Sequence, residues 1–200
     1  MDSGEVAGAP LLFLDVDGPL NPYAAQPERR PAGYTTIRVP FGRDEGPLGR
    51  ARMLRVWLNP AHGPALLGLG CALVWATTWM DDANRWIAPV LDLPRLPFVD
   101  FGEALLRERP DGVHWKTTAI VAYAGGRPFA WVDDEQSALD HAYVAAHHAG
   151  PALLHHVDPR VGLRDGDFEA LADFARTHGG PGADTDGSPD ADADPDPDLG

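Results

Sequence analysis

Four consecutive apolar residues, Leu11 to Leu14, run straight into Asp15, Val16, Asp17 and Gly18. A strand turns alternate side chains to opposite faces, so an unbroken apolar run needs both faces covered. Leu11–Gly18 therefore reads as a short buried strand ending in an acidic turn. Burial on two faces is the signature of a parallel sheet sandwiched between helices. In such a sheet, chemistry sits outside the carboxyl ends of the strands. Two carboxylates delivered there suit a divalent cation and attack on an electrophile.

The pattern of an apolar run ending in a reactive residue recurs. Cys71–Ala76 leads to Thr77, and Phe129–Val132 leads to the pair Asp133-Asp134. Leu96–Phe101 and Ala152–Val157 add two further strands, the former with a weaker pattern. Between them lie helical segments. One opens at Asn59-Pro60 and runs to Leu69, and another carries Trp79, Ala83, Trp86 and Ile87 with Thr78 as its cap. Thr117–Tyr123 is stopped by Gly125-Gly126, and Ser137–His148 and Asp167–His178 follow. Two β-like runs, Thr35–Phe41 and Arg52–Leu58, predict a hairpin flap. The expected fold is α/β: a Rossmann-like parallel sheet of about five strands flanked by helices, with a β-hairpin flap.

Of the 200 residues, 11–178 form one predicted domain with its flap at about 19–58, and residues 1–10 are expected to be flexible. The last 22 residues hold seven Asp, no basic residue and almost nothing apolar, so residues 179–200 read as a disordered acidic tail. Without them the body keeps 23 acidic and 16 basic residues, a balance that argues against general nucleic-acid binding. Seven of the basic residues fall between Arg29 and Arg55, a cationic segment able to draw in an anionic substrate. Cys71 is the single cysteine, which excludes a disulfide framework. With no signal-peptide pattern and no membrane-length apolar run, the expected location is cytoplasmic.

Lys116 is the only lysine, against 15 arginines. An ammonium is a compact point charge that fits between a carboxylate and a phosphate oxygen, where a planar guanidinium does not. In chain order the motifs are LLFLDVDG, ALVWAT, the lysine of HWKT, and FAWVDD. This order resembles the haloacid dehalogenase (HAD) superfamily of phosphohydrolases, over residues 11 to about 158. DVDGPLNP is also similar to the HAD domains associated with RNA-repair proteins, whose expected substrate is a terminal phosphate.

The resemblance implies roles residue by residue. Asp15 would be the nucleophile that forms an aspartyl-phosphate, and Asp17 the general acid and then base. Thr77 and Lys116 would hold the substrate phosphate. Asp15, Asp133, Asp134 and Asp17, the last through its main-chain carbonyl, would hold Mg²⁺. An acid at Asp17 implies phosphatase or phosphotransferase chemistry rather than carbon–halogen cleavage. The 53 residues between Asp17 and Cys71 must house the flap and a helix, which leaves little or no room for a cap and implies an open site. The substrate would be a phosphorylated small molecule, a nucleotide or a nucleic-acid end. Two rival readings stand beside it: a metal-dependent nuclease using the same acids, and an inactive phosphate-binding module of the same fold. Trp79 is the best candidate for stacking on a base, whereas Trp75 and Trp131 read as core.

Overall fold

Strand β1 (Leu11–Leu14) lies inside the sheet, with β4 (Ala72–Trp75) on one side and β5 (Phe129–Asp133) on the other. Strand β6 (Ala152–His156) follows β5, and all these pairings are parallel. Leu14 is in register with Trp75 and with Val132, so three strands end together. The computed structural model describes residues 8–28, 30–41 and 52–179. The expectations for residues 1–7, for Arg29, for the hairpin connection at 42–51 and for the tail from 180 to 200 lie outside the described residues.

Alternation along β1 splits the core in two. Leu12 and Leu14 join Leu73, Trp75, Ala130 and Val132 on one face. Leu11 and Phe13 join Val74, Phe129 and Trp131 on the other. The first face is covered by α1 (His62–Leu67) through Leu66, by α5 (Asp165–His178) through Leu171, and by a hairpin. That hairpin pairs β2 (Thr35–Phe41) antiparallel with β3 (Arg52–Leu58), and it contributes Val39, Val56 and Leu58. The second face is covered by α3 (Thr117–Ala124) through Ile120 and by α4 (Ala138–His147) through Val144. The architecture is thus α/β and Rossmann-like, with the antiparallel hairpin as a separate small sheet.

Two expectations are corrected. The sheet has four strands rather than about five, because Leu96–Phe101 meets the β4 edge only at the Trp75–Phe98 bridge. Pro94 and Pro97 carry no N–H, so this segment cannot supply a regular ladder. Pro97 offers its carbonyl to the Trp75 N–H, and the Val99 N–H returns to the Trp75 carbonyl, both at 2.9 Å. Secondly, Thr78 does not cap a helix. The chain turns from Thr77 to Asp81 with Met80 at φ +47°, and α2 covers only Asp82–Trp86. The strand itself ends at Leu14, and Asp15 and Asp17 sit in the acidic turn expected after it.

No helix among the described residues is long and apolar enough to cross a membrane.

His62, at the start of α1, is buried between Tyr34 and Phe168, with ring centroids 5.5 and 5.4 Å away. Its Nδ1 has no hydrogen-bond partner. Burial pulls its pKa down to about 4 against the opposing pull of Asp165 and Asp167. The folded protein holds the ring neutral while the unfolded chain takes up a proton below about pH 6.5. Stability is therefore lost as pH falls from about 6.5 to 4. His62→Leu should flatten this limb by about 2 kcal/mol, measured as urea unfolding at pH 7 and pH 4.5. An unchanged pH dependence would place the acid sensitivity elsewhere.

Candidate active site

Three strand ends and one helix start converge above β1. Asp15 follows β1, Asp133 closes β5, Thr77 lies just past β4, and Lys116 immediately precedes α3. This is the switch point of the sheet, where the chain leaves β1 toward β4 and later returns on the other side as β5.

Lys116 ties the group together. Its Nζ donates to Asp15 Oδ2 at 2.6 Å and to Asp133 Oδ2 at 2.7 Å, while the lysine itself is only 1% exposed. Asp133 Oδ2 also accepts the Trp131 indole N–H at 3.1 Å, and its Oδ1 accepts the Glu135 N–H at 3.0 Å. Asp15 Oδ1 accepts the Val16 N–H at 2.7 Å. One ammonium thus faces two buried carboxylates, and the core of the site carries excess negative charge. Burial opposes the charge on Lys116, but Asp15 and Asp133 outweigh it and hold its pKa above the usual lysine range. Burial pushes Asp15 up to about 7 despite the pull of Lys116, with Asp133 adding to the rise.

Asp134 stands beside them, half-buried, and accepts the Tyr23 hydroxyl at 3.0 Å. Burial and then the charge on Asp133 raise it to about 6. Oxygens of Asp15, Asp133 and Asp134 lie within 4.8 Å of one another. All the donors are carboxylate oxygens, and the surplus charge on them calls for a cation. The set fits a hard divalent ion such as Mg²⁺ that completes its shell with water. Among the described residues no other group of three His, Cys, Asp or Glu gathers in this way.

Asp17 is held apart from this cluster. Its Oδ2 accepts the Trp79 indole N–H at 2.8 Å and its Oδ1 accepts the Asn21 amide at 2.7 Å. Both partners are neutral, and among the described residues Asp17 makes no ion pair. Asn21 Oδ1 in turn accepts the Trp57 N–H at 3.0 Å, which connects β3 of the hairpin directly to the Asp17 carboxylate. Thr77 is buried and its hydroxyl, which accepts the Trp79 N–H at 3.4 Å, helps stabilise the charged form of Asp15. The cleft surface is made by its neighbour Thr78 instead.

The cleft encloses about 670 Å³. Asp15, Asp17, Lys116 and Asp134 line it, and the hairpin supplies Leu54 and Arg55 as a wall. The Arg55 guanidinium lies 4.1 Å from the Trp57 ring centroid, a cation–π contact that holds it in place. Trp75 and Trp131 are fully buried in the two core clusters.

One important residue escapes a reading of the sequence for chemistry. Asp140, fully buried on α4, accepts the His114 N–H at 2.8 Å and the Thr117 hydroxyl at 2.6 Å. It thereby grips the chain on both sides of Lys116. Its Oδ2 takes the Ser137 N–H and hydroxyl at 2.9 and 2.7 Å. The signal was present as Ser137 followed three residues later by Asp140, a capping-box spacing.

Comparison with protein-family models, curated proteins and solved structures finds no match for this chain. The site's chemistry therefore rests on its own geometry.

Gly18 makes that geometry possible. Its φ of +91° suits glycine, and a Cβ there would lie 2.4 Å from Asp134 Cγ. Gly18→Ala should displace Asp134 and weaken Mg²⁺ binding at least tenfold, read by isothermal titration; an unchanged affinity would remove Asp134 from the cation site.

Proposed function

We propose that this chain is a Mg²⁺-dependent phosphohydrolase of the haloacid dehalogenase type, acting on a phosphomonoester through an aspartyl-phosphate. The observation that carries the reading is the bridge from Lys116 to Asp15 and Asp133, with Asp17 held separately by neutral donors. The first carboxylate is paired with a cation and suited to attack. The second makes no ion pair among the described residues and is suited to move a proton.

In the first step an Asp15 carboxylate oxygen bonds to phosphorus as the ester P–O bond breaks. The departing oxygen keeps the bonding electron pair and takes its proton from Asp17. In the second step water attacks the phosphorus of the aspartyl-phosphate and gives a proton to the Asp17 carboxylate. Orthophosphate leaves and Asp15 is restored. Lys116 offsets negative charge on Asp15 and on the adjoining phosphoryl oxygen throughout. Bound at Asp15, Asp133 and Asp134, Mg²⁺ would supply further neutralisation of the phosphoryl oxygens. Arg55 in the cleft wall, with no ion-pair partner among the described residues, favours an anionic substrate.

Phosphate release from an aryl phosphate should require Mg²⁺, stop with EDTA, and fall by at least about 10³-fold in Asp15→Asn with the fold retained. Release that persists in Asp15→Asn would overturn covalent catalysis, and cleavage confined to internal phosphodiesters would favour a nuclease.

Lys116→Arg tests the bridge. A planar guanidinium cannot replace a point charge shared by two buried carboxylate oxygens. Turnover should drop about 10²-fold, with a lower melting temperature; near-normal kcat would show that charge alone suffices.

A further inference from the structure

A second cavity of about 300 Å³ opens beside the cleft. Asp17, Leu54 and Thr78 line both spaces, whereas Asp15, Lys116 and Asp134 line only the larger one. Asp17 therefore stands at the passage between them. The smaller cavity is walled by Trp79 and Trp86, and by Val39 and Pro40 of the hairpin. Among the described residues its one other charged lining residue is Asp82, and no Lys or Arg lines it.

Both indoles are fixed in place. Trp79 is pinned by its N–H bond to Asp17 Oδ2 at 2.8 Å. The Arg85 guanidinium lies 4.8 Å from the Trp86 ring centroid. Asp82 and Trp86 are four residues apart on α2 and so share a face. Neither tryptophan is fully buried, unlike Trp75 and Trp131, so each keeps indole surface that a ligand can cover.

We propose that this side cavity is the leaving-group site and that it takes a neutral, planar aromatic group. The proposal rests on the phosphohydrolase reading above. A general acid must reach the oxygen that departs. With the phosphoryl group against Asp15 and Lys116 in the larger cleft, a departing oxygen within reach of Asp17 directs whatever it carries past Asp17 toward the side cavity. The walls then select the group. Indole surfaces favour a flat π-system, and Asp82 accepts a hydrogen bond from an N–H or O–H while repelling a second phosphate. An aryl group and a nucleobase share this chemistry; a polyphosphate chain does not.

Two substrate pairs separate the sources. Benzyl phosphate against cyclohexylmethyl phosphate varies planarity with alcohols of similar acidity. Adenosine 5′-monophosphate against ribose 5-phosphate varies the presence of a base. At least one pair should show a preference of about tenfold in kcat/KM for the aromatic member, and that preference should collapse toward parity in Trp86→Leu. The pair that responds identifies the aromatic group. Parity in both pairs, or a preference unchanged in Trp86→Leu, overturns the proposal.

A wild-type titration needs neither turnover nor a folded variant. Benzylphosphonate should bind about tenfold more tightly than cyclohexylmethylphosphonate and shift the indole N–H resonances of Trp79 and Trp86. Shifts no larger than those produced by inorganic phosphate overturn the side cavity. Absence of phosphate release from all four esters overturns the phosphohydrolase reading instead, and the titration still decides the cavity.

Discussion

The buried contact of Lys116 with Asp15 and Asp133 is the interaction on which the remaining geometry depends. It links a turn after β1, the end of β5 and the start of α3, segments otherwise far apart in sequence. Such a charge cluster is costly to bury, and removing one partner leaves an uncompensated charge inside. The surrounding structure is accordingly arranged to hold it. Trp131 donates to the same Asp133 oxygen that Lys116 uses, and Asp140 secures the His114 N–H on one side of the lysine and the Thr117 hydroxyl on the other. The fold and the candidate site thus share one set of contacts.

The hairpin is the second organising element. Val39, Val56 and Leu58 root it in the core, while Leu54 and Arg55 reach the cleft. Through Trp57 and Asn21 its backbone is joined to Asp17. The hairpin is therefore more than a cover over an open site. It helps orient the carboxylate proposed to transfer the proton, and its position and that of Asp17 are linked through Asn21.

Much of this was legible in the sequence because the informative residues lie at the ends of apolar runs. Leu11–Leu14 and Phe129–Val132 announced buried strands, and each led directly to an aspartate of the site. The lone lysine stood out by its rarity and proved to be the bridging cation. What stayed hidden depended on contacts distant in sequence. Asp140 resembled an ordinary helix-capping residue, and nothing local revealed its grip on His114 and Thr117. Asp17 and Asp15 shared a motif, yet the turn after Leu14 sends their carboxylates to different partners. The supposed third core strand failed for a readable reason, since Pro94 and Pro97 stood in plain sight.

Those prolines also affect how the sheet ends. An outermost strand presents unpaired amides and carbonyls that invite another chain to add itself. Along β4, the Pro97 carbonyl and the Val99 amide occupy the groups of Trp75, yet the segment that supplies them is too irregular to act as a template in turn. At Trp75 the border is occupied by a length of backbone that cannot pass the pattern on. A feature that reduces the strand count thus closes this end of β4 to a strand from another chain.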